Sequence, residues 1–166
     1  MRSFVVLGLG SNLGNSQEIL SDAIHDLRGV LSCLKASSLY ATKPQENIFQ
    51  DDFLNMVVTG YFSGMPRELL AETALIETRY GRNREQESAK GPRTLDIDIE
   101  LFGALSVHDK DLIIPHERLH FRQFVLVPLL ELLPDYADPV TGDLFRDLCA
   151  RLPDQGVLKA GIHYGD

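Results

Sequence analysis

Apolar residues gather in four strand-length stretches along the chain, and twice the spacing between them turns helical. "SFVVLGLG" (3–10) reads as a first strand. Ile19, Leu20, Ala23, Ile24 and Leu27 then recur at helical spacing. A second strand is predicted over 33–42 and a third over 53–64. Between the third and fourth strands lies a helical stripe of Leu69, Leu70, Thr73, Ile76, Glu77 and Tyr80, with Pro66 suited to its first turn and Gly81 to its stop. In "GPRTLDIDIELFG" (91–103) the alternation is strict. Asp96, Asp98 and Glu100 fall on one face and Ile97, Ile99 and Leu101 on the other, with Glu100 expected toward a solvated end. Residues 111–136 begin extended and become an apolar helix that Pro128 must start, kink or interrupt, and a weak helix is expected near 143–152.

This order, βαββαβ followed by helical additions, predicts an α+β fold. It is the ferredoxin-like arrangement, an antiparallel sheet with helices on one face and extra C-terminal helical segments. One domain is expected over 1–166. The polar stretches 43–52 and 82–92 are long for connections in a compact domain, and such loops often serve binding.

Composition narrows the function classes. With 44% hydrophobic and 24% charged residues the chain is of ordinary globular type. No apolar run approaches the roughly 18 residues of a membrane span, and the N-terminal apolar run reads as a strand rather than a signal peptide. Cys33 and Cys149 are too few and too isolated for a disulfide framework or metal cluster, so a reducing, cytoplasmic setting is expected. A net charge of −8 argues against nucleic acid as a partner. Residues 79–93 nevertheless carry five cationic side chains against two acids. A basic segment beside paired carboxylates suits a small anionic ligand that brings its own metal.

The chemistry follows from that juxtaposition. Asp96 and Asp98 are close enough on one strand face to share magnesium, whose shell substrate phosphates usually complete. Arg82, Arg84 and Arg93 carry planar, permanently charged groups that grip phosphate oxygens in pairs. In "IPHERLHFRQF" (114–124), His116 follows a proline that favours an extended turn and is better placed than His120. Phe124 reads equally as core or as site. "GLGSNLG" (8–14) lacks both the lysine of a P-loop and the dinucleotide-binding glycine spacing, so a tight strand-to-helix turn is its expected job.

"GPRTLDIDIELFG", together with "LGLGSNLG", "SSLYAT", "FLNMVV", "IETRYGRNR" and "IPHERLHFRQFVLVPLLEL", closely resembles the 6-hydroxymethyl-7,8-dihydropterin pyrophosphokinases of folate biosynthesis, over nearly the whole chain. The resemblance implies transfer of pyrophosphate from ATP to the pterin's hydroxymethyl oxygen, with release of AMP, by a monomer using two magnesium ions. It assigns Asp96 and Asp98 to the metals. Arg82 and Arg93 would contact the phosphates in the transition state, and Arg84 would belong to a mobile loop. His116 and Arg122 would lie at the ATP phosphates and Glu77 near the nucleotide. Asn55 would read the pterin edge, helped by backbone near Thr42 and Pro44, while Phe53 and Phe124 would sandwich the ring.

The chain departs from better-known members at Lys90, where a tryptophan is usual, at Ala74 for a glutamine and at Glu117 for a tyrosine. Lys43 and Gln45 also replace apolar loop residues. Rival readings are a non-catalytic pterin- or nucleotide-binding module and a metal-dependent phosphohydrolase. The intact carboxylate pair speaks against the first and Asn55 between aromatics against the second.

Overall fold

The structure, a computed structural model, describes residues 1–43, 51–83, 85 and 93–163. Its centre is β1 (Arg2–Ser11), which pairs antiparallel on one side with β4 (Phe53–Ser63) and on the other with β5 (Asp96–Phe102). Beyond β4 come β3 (Ser38–Thr42) and β8 (Leu158–His163), giving the order β5-β1-β4-β3-β8, all antiparallel. β2 (Ser32–Ala36) continues the pairing on β4 past the end of β3. The strand expected over 33–42 is therefore two strands, divided at Ser37. There the Val57 amide donates to the Ser37 hydroxyl at 3.0 Å, and that hydroxyl donates to the Ser38 carbonyl at 2.8 Å. A side chain satisfies the backbone where the strand breaks.

α1 (Ser16–Leu27) and α2 (Pro66–Arg79) cover one face of the sheet, as the βαββαβ order requires. Asn15 caps α1 by accepting from the Glu18 amide at 3.3 Å, and Pro66 occupies the first turn of α2. Leu20, Ile24, Leu27, Leu69 and Ile76 from the helices meet Leu7, Leu9, Met56, Val58, Ile97 and Ile99 from the strands. Asp26 of α1 accepts from Arg79 at 2.7 Å and from the Tyr80 hydroxyl at 2.9 Å, joining the two helix ends.

The C-terminal segments cover part of the opposite face. α3 (Gln123–Leu132) runs through Pro128, and α4 (Phe145–Arg151) packs beside it. Leu119, Val125, Leu126, Leu129 and Phe145 bury Val6, Val57 and Leu101 in a second core. A hairpin of β6 (Val107–Asp109) and β7 (Leu112–Ile114) was not legible from the spacing, and neither was β8. Among the described residues no helix is long and apolar enough to cross a membrane.

The strict alternation expected for β5 fails at one point. Leu7 pairs with Ile99 but Val6 with Leu101, so Glu100 is an extra residue in the ladder, a β-bulge. Ile97 and Ile99 enter the first core as expected, whereas Leu101 turns to the second, with Val6. Glu100 is not at a solvated end: it is fully buried. The bulge moves both, because one inserted residue exchanges the faces of everything after it.

Glu131 on α3 fastens that helix to the sheet. Its carboxylate accepts from the Ser38 amide and the Ser38 hydroxyl, each at 2.9 Å, and from the Tyr40 hydroxyl. Burial and this bond together push the Tyr40 phenol well above its ordinary range. Glu131→Ala leaves these donors without the acceptor and should cost about 2–4 kcal/mol in urea unfolding. Glu131→Gln, which keeps an acceptor oxygen, should cost clearly less.

Candidate active site

The face that α3 leaves open is built on β1, between β4 and β5. Gly10 faces Asp96 on one side and Asn55 on the other, and Gly8 faces Asp98 and Val57. Glycine is needed here for close approach. A Cβ on Gly10 would stand 3.2 Å from Asn55 Oδ1, and one on Gly8 would stand 2.7 Å from Glu100 Oε1. With no side chains in the middle row, the Asp96 and Asp98 carboxylates of β5 and the Asn55 carboxamide of β4 border one shared floor.

On the β5 side the charges form a chain. Glu77, 2% exposed on the last turn of α2, accepts from the Ile97 amide and from Arg82, both at 2.8 Å. β5 is an edge strand, so Glu77 supplies the acceptor that a further strand would have given Ile97. Arg82 also donates to Asp96 Oδ1 and, at 3.3 Å, to the Leu95 carbonyl. Arg93 donates to the other Asp96 oxygen at 2.7 Å. Burial alone would raise the Asp96 carboxyl, but the two guanidinium groups outweigh it and hold the group below its ordinary value.

Asp98 has a different setting. Its Oδ2 lies 3.5 Å from Arg122 and 3.7 Å from His116 Nε2. Burial and then the neighbouring Asp96 charge raise its pKa. His116 is tied to the same strand, since its amide donates to the Glu100 carbonyl at 3.0 Å, and its Nδ1 accepts from the Arg118 amide at 3.2 Å. Burial lowers the His116 pKa, with Asp98 opposing and Arg122 reinforcing, which favours a neutral ring. His120 instead bonds Asp138 at 2.6 Å, beside Phe145. Of the two rings, the structure places His116 beside Asp98 and His120 beside Asp138.

On the β4 side, Asn55 is buried and donates through Nδ2 to the Thr42 hydroxyl at 2.8 Å. That bond fixes the carboxamide with Oδ1 above Gly10. Phe53 starts β4 two residues away, on the same strand face as Asn55. Phe124 opens α3, with the Arg122 guanidinium over its ring at 5.3 Å. Pro44 and Arg84, and with them Lys90 and Gln45, lie outside the described residues.

The structure therefore brings Glu77, Arg82, Arg93, Asp96, Asp98, His116 and Arg122 together along β5, and Thr42, Phe53 and Asn55 together across β1. Hard carboxylate oxygens in this setting suit magnesium. Among the described residues no group of three or more His, Cys, Asp or Glu side chains is placed to hold a metal. Two carboxylates by themselves leave most of a metal's shell to water or to a ligand's oxygens.

Two residues escaped the sequence reading. Glu100, expected toward a solvated end, has both its oxygens buried without a hydrogen-bond partner among the described residues, and burial followed by the Asp98 charge raises its carboxyl well above the ordinary value. Asn12, in the expected turn, is 4% exposed and bonds Arg93 and Asp51. The signal in the sequence is an asparagine in the turn directly after a strand, two residues ahead of Gly14.

The sequence model of the family described as 7,8-dihydro-6-hydroxymethylpterin-pyrophosphokinase matches residues 6–134. A 2-amino-4-hydroxy-6-hydroxymethyldihydropteridine pyrophosphokinase from Methylorubrum extorquens is 36% identical over 155 residues, 92% of this chain and 96% of that protein. A folic acid synthesis protein from Pneumocystis carinii is 42% identical over 140 residues, 83% of this chain, but the chain spans only 18% of that protein's length. Among solved structures, a wild-type Plasmodium falciparum HPPK-DHPS aligns with 90% of this chain and 44% of its own, at a TM-score of 0.71 and 17% identity, a likeness of fold.

Glu100 offers a direct test of the electrostatics. A carboxyl whose folded pKa is raised contributes stability that is complete below its unfolded pKa, about 4.3, and is lost as pH rises through the folded value. Glu100→Leu removes the group that must stay protonated. Its melting temperature should exceed that of the wild type at pH 8, and the gap should narrow toward pH 4 in thermal melts.

Proposed function

The chain belongs to the 7,8-dihydro-6-hydroxymethylpterin-pyrophosphokinase family, and from that premise we propose that it transfers pyrophosphate from ATP to the hydroxymethyl group of 6-hydroxymethyl-7,8-dihydropterin. The observation that carries this reading is the single glycine floor bordered by both half-sites. Asp96 and Asp98 with their arginines lie on one side, and Asn55, held by Thr42, lies on the other.

Each half suits its substrate. A flat, uncharged heterocycle needs apolar faces and an amide at its edge, which Phe53, Phe124 and Asn55 supply. Thr42 takes one amide hydrogen of Asn55 and so orients Oδ1 toward the ring's donor edge. A triphosphate needs cations, which Arg82, Arg93 and Arg122 supply, with Arg84 added from the basic segment. Asp96 and Asp98 would hold two magnesium ions. When bound, magnesium supplies positive charge against the phosphate oxygens and lowers the cost of charge building up on the leaving AMP.

The transfer forms a bond from the hydroxymethyl oxygen to the β-phosphorus and breaks the bond from that phosphorus to the oxygen bridging to the α-phosphate. The pterin hydroxyl gives its proton to solvent water, and AMP leaves with the bridging oxygen. The side chains have to align the oxygen and phosphorus and steady the charge spread over the phosphoryl oxygens. Arg82 and Arg93 start this work from ion pairs with Asp96, so they stand oriented before nucleotide arrives. His116, whose burial favours the neutral ring, stands near Asp98 and would donate a hydrogen bond to a phosphate oxygen.

Monomeric action in the cytoplasm, with no nucleic-acid or membrane partner, completes the proposal. Incubation with magnesium, ATP and the pterin should give AMP in step with pyrophosphorylated pterin, and a control without pterin should give none. Free phosphate in that control would replace the reading with hydrolysis. Asp98→Ala should lower kcat by about 100-fold or more with little change in melting temperature. Arg93→Ala should lower kcat more than it weakens binding of an ATP analogue in titration calorimetry.

A further inference from the structure

The turn after β1 contains a side chain that faces both half-sites at once. β1 ends at Ser11, and Ser11 is held by a 2.8 Å hydroxyl bond to Ser16 at the start of α1. The next residue, Asn12, is buried, and its carboxamide reaches in two directions. Its Oδ1 accepts from the Arg93 amide at 2.8 Å. Its Nδ2 donates to the Asp51 carbonyl at 3.3 Å. The backbone adds to the first arm, since the amides of Asn12 and Leu13 both donate to the Arg93 carbonyl, at 3.0 and 3.1 Å.

Arg93 and Asp51 are the chain's approaches to the two halves of the site. Three residues after Arg93 comes Asp96, which Arg93 itself pairs with; two residues after Asp51 comes Phe53, and then Asn55. Each follows a long polar stretch of the sequence. A guanidinium on such a segment is placed by whatever fixes its backbone. Here the Asn12 side chain and the adjoining amides grip both the N–H and the C=O of Arg93.

We propose that Asn12 is a positioning residue of the transfer reaction. Its carboxamide fixes the Arg93 backbone against Asp96 and ties that segment to the chain entering Phe53 and Asn55, so phosphate and heterocycle are held in one geometry. The inference rests on the reaction proposed above. Only a short group that both accepts and donates meets the two demands. Aspartate keeps the acceptor for Arg93 but cannot donate to Asp51, alanine provides neither, and glutamine is one methylene too long.

The test compares Asn12→Ala and Asn12→Asp with the wild type. Steady-state kinetics with magnesium, ATP and the pterin are combined with amide exchange of the ligand-free proteins. In N12A, exchange at the Arg93 amide and across 51–54 should quicken at least tenfold, and kcat per folded molecule should fall by about 100-fold, as expected for a misplacement near 1 Å. The KM for the pterin should also rise. In N12D, protection of Arg93 and most of kcat should return, while the raised pterin KM and the fast exchange at 51–54 persist. This split between the two variants is what a merely structural role would not produce.

Equal kcat losses in the two variants, or an unchanged kcat per folded molecule in N12A, would overturn the inference. So would unchanged exchange at both segments. Failure of the wild type to make AMP from ATP and pterin would instead sink the proposed reaction. The exchange arms would then still decide whether Asn12 holds the two segments.

Discussion

A buried chain of opposite charges, Glu77–Arg82–Asp96–Arg93, is the constraint on which the site depends. Glu77 and the Arg82 side chain are nearly inaccessible, and buried charges are tolerable only when paired and hydrogen-bonded. Each member meets that need with groups from a different part of the chain. Glu77 comes from α2, Arg82 from just beyond it, Asp96 from the start of β5 and Arg93 from the segment before β5. Because Glu77 also takes the Ile97 amide, the network holds the exposed edge of the sheet as well as the charges. Removing one partner leaves an uncompensated charge in a low-dielectric place, so these four positions constrain one another.

The sheet divides structural from chemical work by face. One face is apolar from β5 to β3 and closed by α1 and α2. The other is closed by α3 and α4 only around Val6, Val57 and Leu101, and the row above it is glycine, carboxylate and carboxamide. Glu131 sets that border by pinning α3 to Ser38 and Tyr40. Where the covering stops, Gly8 and Gly10 lower the floor so that β4 and β5 side chains face a common space over β1. Under the proposed reaction, this shallow floor is where two substrates of opposite character lie side by side.

Glu100 shows what the arrangement costs. A carboxyl in the bulge lies against the Gly8 backbone and the Asp98 charge and finds no hydrogen-bond partner among the described residues. Nothing in the geometry around it returns the stability that an apolar side chain would give there.

Local pattern alone determined much of this protein. Period-two spacing placed Asp96 and Asp98 on one face of a strand, helical spacing placed Glu77 on the stripe of α2, and Pro66 and Gly81 marked that helix's ends. These features depend on neighbours within a few residues, and backbone geometry repeats over that range whatever the rest of the chain does. The tertiary structure decided the remainder. The bulge at Glu100 exists because β5 pairs with β1, and it sent Leu101 to the second core and Glu100 into the interior. The break at Ser37 answers to Val57 on another strand, and β8 forms only because β3 offers it an edge. Asn12 bonds Arg93 across 81 residues and Asp51 across 39, separations at which no sequence period survives. Register and long-range hydrogen bonds are properties of paired segments, so a single segment read along its own length does not contain them.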